Sequence, residues 1–303
     1  MRRFDAVFCG LLLACAPTAA LACACGCAVF DVGTSSLIPG GPGGTVFFEY
    51  DFLNQTKNWN GSSQAPAANN SDKNIRSNFF LAGGQYMFNE DWGVMAEIPY
   101  TERHFLTTDP DDPGTFDHGA LGDIRLMGVY SGFEPDMSLG ILFGVKLPTG
   151  DSTYSNFDSD VEIGSGSTDL LLGAYKTGAL VPDQSFSWFG QVLWQHEVAT
   201  QRGYTPGSEF NAALGASYEG WKLGPNANLS PVVQAIYSHR GHDGGIGDPA
   251  NTGYGRAILS PGLALTVNQW KFYADAEFPV WQDVTGNQLI APVAYKFILS
   301  YSF

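Results

Sequence analysis

From about Gly44 to Phe303, apolar and polar positions alternate with a period of two, the spacing at which successive strand side chains point to opposite faces. In the final segment, YKFILSYSF, Tyr295, Phe297, Leu299, Tyr301 and Phe303 share one face, and Lys296, Ile298, Ser300 and Ser302 share the other. In SLGILFGVKLPTG, Leu139, Ile141, Phe143, Val145 and Leu147 oppose Gly140, Gly144 and Lys146. NFFLAGGQYMF and EFNAALGASY alternate likewise, with Gly, Asn, Gln and Ser on the second face. That second face is too small and polar for a soluble core and suits a water-lined interior.

Twelve such segments follow one another, near 45–57, 75–88, 92–106, 120–132, 138–150, 168–180, 186–200, 208–220, 228–240, 254–267, 270–283 and 290–303. Short connections such as NED, FEPDM and PDQS alternate with longer ones such as NWNGSSQAPAANNSDKN, YSNFDSDVEIGSGS and HDGGIGDPANTG. An even strand count with short turns at one end and long loops at the other predicts an all-β fold: a single closed antiparallel transmembrane barrel of about 12 strands. Each strand then needs roughly 9–11 residues to cross the bilayer. Phe88, Trp92, Phe186, Trp188, Tyr218, Trp221 and Trp270 bracket the short turns, while Tyr100, Trp194, Tyr237 and Trp281 lie toward the long loops. Two such girdles suit amphipathic rings at both membrane interfaces. Closure also leaves no backbone group unpaired in lipid.

Pro99, Pro148 and Pro279 each follow a charge on the second face by two residues: Glu97, Lys146 and Glu277. A proline removes a ladder hydrogen bond, so these positions predict bulges or strand ends near the outer rim.

The N-terminus adds a compartment. Arg2 and Arg3, the apolar AVFCGLLLACA and ALA ending at Ala22 read as a secretory signal over 1–22. Residues 23–43 form a Cys-rich tail or plug, and 44–303 the barrel. No apolar run of membrane-helix length follows the leader. The expected location is the outer membrane, with its lipid and lipopolysaccharide as partners. The net charge of −15 argues against nucleic acid, whose phosphates call for clustered Lys and Arg. The same acidic excess predicts a preference for cations in any pore.

A strand ending in Lys-Leu-Pro-Thr-Gly-Asp, a variable loop, and Gly-x-Gly-Ser-x-Asp opening the next strand make up GVKLPTGDSTYSNFDSDVEIGSGSTDLLLGAY, residues 144–175. This stretch, with the hairpin GALGDIRLMGVY, resembles the outer-membrane family named for the MetA pathway of phenol degradation. The resemblance implies an outer-membrane barrel transporter linked to uptake of small organic molecules. The two stretches also resemble each other, as a duplicated hairpin or a dedicated binding repeat would.

On the second face the alternation places Glu49, Asp51, Glu97, Asp123, Arg125, Lys146, Asp169, Glu197, Gln234, Arg256, Lys271, Asp275, Glu277 and Lys296. Mixed charges there fit either a hydrated channel or a mutually paired polar core that seals the barrel. Twelve strands enclose a narrow lumen, between the side-chain-filled eight-stranded type and open sixteen-stranded porins. His104, His118, His196, His239 and His242 map to outer strand ends or long loops with many Asp and Glu, which reads as a solvated acidic rim or as divalent-metal ligands.

The mature chain is expected to open on CACGCAVFDVGT, where Cys23, Cys25 and Cys27 alternate ahead of LIPGGPGG. In the oxidising periplasm these thiols admit one disulfide with one free thiol, a lipid anchor at Cys23, or a soft site for Cu or Zn. The leading expectation is a channel or transporter for small solutes. The alternative is a barrel that binds or conducts a metal, or houses a periplasmic redox partner, through these cysteines. The chain lacks Gly-x-Ser-x-Gly, Cys-x-x-Cys-His, a phosphate-binding Gly-Lys-Ser/Thr and His-Glu-x-x-His, so no enzyme and no other cofactor is expected.

Overall fold

The computed structural model describes residues 38–110, 112–247 and 249–303. The leader and Cys23, Cys25 and Cys27 lie outside the described residues. The described chain is all-β, and its long strands close into one antiparallel barrel of 12 strands. They are β1 (Gly43–Gln55), β2 (Asp72–Met87), β3 (Trp92–Thr107), β4 (Gly114–Leu121 continued by Arg125–Tyr130), β5 (Leu139–Lys146) and β6 (Ser167–Ala179). Then come β7 (Phe186–Thr200), β8 (Glu209–Tyr218 continued by Trp221–Gly224), β9 (Ala227–Arg240), β10 (Tyr254–Val267), β11 (Trp270–Ile290) and β12 (Ala294–Ser302). Each strand pairs with the next, and β12 closes on β1 with Phe48 opposite Leu299 and Asp51 opposite Lys296. The ladder therefore has no edge at bilayer height, which is what lipid requires of a spanning sheet.

The alternation is realised as an apolar outside. Leu172, Leu214, Val233, Leu263, Phe272 and Phe297 point out and stay exposed. Phe88, Trp92, Phe186, Trp221 and Trp270 ring the short-turn end, and Tyr100, Trp194, Tyr237 and Trp281 ring the other. This belt between two aromatic girdles is a surface for hydrocarbon flanked by headgroups.

Three strands depart from the sequence expectation. β4 begins earlier, at Gly114, and breaks at residues 122–124, where the amide of Gly122 bonds the carbonyl of Pro99 on β3 at 2.9 Å. β5 stops at Lys146, because the chain beyond Pro148 turns into the barrel instead of continuing upward. Pro279 sits at a bulge on β11, where Ala257 faces Trp281 and Ile258 faces Pro279. β11 then extends to Ile290 by pairing with the short strand Lys57–Gly61.

The inner face is also less polar than the alternation implied. Met87, Met95, Met127, Val129, Leu142, Leu171, Tyr175 and Leu193 point inward and form one buried cluster in the short-turn half. Phe47, Phe189, Val232 and Ile298 add a second. The inward glycines are not water-facing gaps. A Cβ on Gly83 would lie 2.1 Å from the Phe47 ring, one on Gly215 2.3 Å from Phe189, and one on Gly140 2.5 Å from Tyr175. In each case ring and glycine are direct cross-strand partners, so the glycine makes room for an aromatic that fills the lumen.

Candidate functional site

The lumen is layered. Its lowest level is the apolar cluster just described, and the chain ahead of β1 enters it. Ile38 packs against both apolar clusters, and Pro39 is buried beside it. Only about 30 Å³ remains free among Ile38, Pro39, Met95, Met127, Leu142 and Leu193. This is the described part of the tail expected over 23–43, and it occupies the lumen. By its Gly and Pro content, LIPGGPGG reads from sequence as a tether. Its one aliphatic pair, Leu37 and Ile38, was the signal available.

The next level carries charge. Glu49 is fully buried, and its Oε1 lies 3.1 Å from Lys296 Nζ, with Asp51 Oδ1 4.0 Å from the same ammonium. Gln234 donates to Asp275 at 3.1 Å, and Ser260 and Tyr273 donate to the same carboxylate at 2.6 and 2.7 Å. Glu277 is buried nearby on β11. Arg256 on β10 lays its guanidinium 4.0 Å from the centre of the Tyr254 ring. On the opposite wall Arg125 reaches Glu97 at 3.8 Å. Of the residues assigned from the alternation, Glu197 lies apart near the outer end, 3.4 Å from the Ser208 hydroxyl that donates to it. Lys271 lies apart at the short-turn end of β11, partly buried.

Asp123, Lys146 and Asp169 meet in one cluster. Lys146 Nζ donates to Ser165 Oγ at 2.7 Å and Ser167 Oγ at 3.2 Å, and pairs with Asp169 at 2.7 Å and Asp123 at 3.7 Å. Asp123 accepts the amides of Gly150 and Ser165 at 2.9 and 2.8 Å and the Ser165 hydroxyl at 2.6 Å. Asp169 accepts from Ser167 and Gln195, each at 2.5 Å. A Cβ on Gly150 would fall 2.7 Å from Gly164 Cα and 2.8 Å from the Gly122 carbonyl carbon. Three backbones thus touch where only glycine fits. The two motif stretches that resemble each other in sequence meet here. They brace the foot of the 147–166 loop.

Above this cluster the loop folds into the barrel. Phe157 and Val161 pack against Ile75, Phe105 and Leu289 from the walls. Arg103 donates to the carbonyls of Val161 and Glu162, the latter at 3.1 Å, and to Ser77 Oγ at 3.1 Å. His118 stacks on Tyr154 at 4.1 Å and bonds Asp151 at 2.9 Å. The Thr153 hydroxyl, and after it His118, hold the Asp151 carboxyl below its usual range. Burial, then the charge of Asp151, pushes Glu162 up to about 8, against the opposing pull of Arg103 and Arg202. Burial likewise raises Asp158. A second brace joins the neighbouring loops, where Arg240 and Tyr204 both bond Asp243, at 2.6 and 2.7 Å. Arg103 and Tyr204 were not singled out from the sequence, whereas Asp243 counted there only as one of the acidic residues beside the histidines.

The histidines are dispersed. His104 pairs with Asp117 at 2.7 Å, His196 with Ser208 at 2.7 Å, and His242 with the carbonyl of Thr252 at 2.7 Å. Among the described residues no three His, Cys, Asp or Glu side chains converge on a metal position.

Between the inward loop and the apolar level lies a cavity of about 160 Å³, lined in part by Asp51, Phe79, Leu81, Glu97, Arg125, Lys146, Glu162 and Arg240.

No protein-family model matches the chain. No curated protein matches it either. Among solved structures it is similar to an outer membrane channel of Pseudomonas putida F1, with a TM-score of 0.68 at 11% identity, covering 90% of this chain and 100% of the other. The β-domain of the Bordetella autotransporter BrkA gives a TM-score of 0.54 at 11% identity, covering 86% and 100%. At such identities the likeness is one of fold. With the closed ladder, the apolar belt and both girdles, the chain is an outer-membrane β-barrel.

Proposed function

We propose that this barrel is an outer-membrane channel for small solutes, held shut in its resting conformation at two levels of the lumen. The observation that carries this reading is the half-enclosed cavity between two closures that differ in kind from the wall. One is the 147–166 loop, hung from the wall by Arg103 and His118. The other is the segment ahead of β1, whose Ile38 and Pro39 sit among Met95, Leu142 and Leu193. A barrel sealed for purely structural reasons would fill its axis with wall side chains alone. Here the loop and the segment ahead of β1 add to the wall side chains of the lumen, and each is able to leave without breaking a strand pairing. The mixed charges of the middle level suit solutes bearing polar or ionic groups, and the apolar level limits their size.

Conductance in planar bilayers tests the reading. The intact chain is expected to show rare openings. Ile38→Glu, which sets a carboxylate in the apolar level and so expels the segment, is expected to raise mean conductance several-fold. Bilayers that stay silent with both proteins overturn the channel reading.

A further inference from the structure

The cavity beneath the 147–166 loop has a size and charge that name a ligand class. We propose that it is a binding chamber for single-ring-sized organic cations, in which an ammonium group faces Asp51 and an apolar body lies against Phe79, Leu81 and Ile163. This rests on the channel reading for how a solute gets there, but the chemistry of the chamber stands on its own geometry.

Size comes first. A protein cavity of about 150 Å³ accommodates one benzene molecule. The cavity here, of about 160 Å³, therefore takes one six-membered ring or an aliphatic body of that bulk.

Charge comes next. Three cations border the cavity, and each is already engaged by the protein. Arg125 pairs with Glu97, Lys146 with Asp169 and Asp123, and Arg240 with Asp243 at 2.6 Å and Glu209 at 4.0 Å. No cation of the lining is left to meet an incoming anion. Asp51 is different. Its side chain borders the cavity and is only 1% exposed, it meets a second carboxylate, Glu49, and its Oδ1 receives no hydrogen bond from any described residue. The one nearby cation, Lys296, stands 4.0 Å away and is drawn closer to Glu49, at 3.1 Å. A buried carboxylate oxygen without a donor is costly, and a ligand N–H that reaches it removes that cost. An ammonium supplies both donor and charge, a hydroxyl supplies the donor alone, and a carboxylate supplies neither.

Isothermal titration of the purified full-length barrel in detergent at pH 7 separates these cases with three probes of one shape: benzylamine, benzyl alcohol and benzoate. Benzylammonium is expected to bind at least tenfold more tightly than benzyl alcohol, and benzoate not to bind measurably. Asp51→Asn is expected to bring benzylammonium down to near parity with benzyl alcohol. Ile163→Trp, which fills the cavity from the loop and changes no charge, is expected to abolish binding of both. Benzoate binding as tightly as benzylammonium, or absence of binding by all three probes, overturns the proposal. So does an undiminished preference in Asp51→Asn. If that variant fails to fold, the three-probe comparison and Ile163→Trp decide. Binding with silent bilayers would remove the channel reading and leave the chamber. Current with no binding would do the reverse.

Discussion

Lys146 Nζ and Asp169 Oδ2 stand 2.7 Å apart on directly paired positions of β5 and β6, both buried, at the point where β5 ends and the chain turns into the lumen. The pair is shared with Asp123 and two serines, so one ammonium secures both the strand end and the foot of the inward loop.

Removing that ammonium leaves two buried carboxylates without their cation, a change that costs about 3–5 kcal/mol when one partner of a buried pair is deleted. Lys146→Met is expected to lower the urea midpoint of unfolding and to expose Tyr154 and Phe157 to chymotrypsin. The double variant Lys146→Met/Asp169→Asn is expected to recover part of the loss, since the second change removes an orphaned charge. Urea titration followed by tryptophan fluorescence measures both.

Arg103 acts higher in the lumen, where it ties the loop to Ser77 of the wall. Its guanidinium holds the carbonyls of Val161 and Glu162, and hydrogen bonds from a charged donor contribute about 1.5–3 kcal/mol each. Arg103→Gln is expected to free the loop, raising single-channel open probability and proteolysis within 147–166, while the global unfolding midpoint moves little. A midpoint that falls as far as in Lys146→Met would mean that the loop and barrel unfold as one unit.

Much of the barrel was legible in the sequence, and the reasons are local. A strand facing lipid outside and polar groups inside shows full period-two contrast, so β12 could be read from YKFILSYSF alone. Tertiary packing hid the rest. Where the lumen is filled, as at Met127 and Val129 beside outward Leu126, both faces are apolar and the contrast fades. Glycines opposite inward rings then look like polar-face residues. The Lys146, Asp123 and Asp169 cluster was visible residue by residue. Its convergence was not, because β4 and β6 lie on either side of β5 and only the fold brings them together. Ile38 was hidden for a similar reason: a Gly- and Pro-rich flank reads as tether wherever the chain then goes.

Glu162 gives the loop a pH dependence with a definite sign. Inside the lumen its pKa is about 8, whereas a free Glu titrates near 4.5, so the folded-in loop holds a proton that the released loop gives up. Stability of the folded-in position is therefore full below about 4.5, falls as pH rises through the window from 4.5 to 8, and levels off above it. Asp158, also raised by burial, adds in the same direction. The lowered Asp151 acts only below its ordinary 3.8 and leaves this window untouched. Loop proteolysis and open probability are expected to rise between pH 5 and 8, and Glu162→Gln is expected to flatten most of that rise. A profile that runs the other way would show that another group controls the loop.

The outer surface offers a test independent of the lumen. Leu263 sits midway along β10, half exposed toward lipid, whereas Trp221 lies in the short-turn girdle. An Arg on the lipid face costs about 2–4 kcal/mol at the bilayer midplane and about 0–1 near an interface, because only the interfacial guanidinium reaches water and headgroups. Leu263→Arg is therefore expected to slow folding into liposomes and to lower stability there by that larger amount. In Trp221→Arg, the charge itself is expected to add little to the loss of the ring. Ser260, three residues from Leu263 on the same strand, points inward and donates to Asp275. Ser260→Ala is expected to cost only that hydrogen bond, about 1 kcal/mol, with no dependence on lipid thickness. Folding in vesicles of thinner and thicker hydrocarbon separates the three. A Leu263→Arg penalty that does not grow with bilayer thickness would displace the membrane midplane from the position the two girdles define.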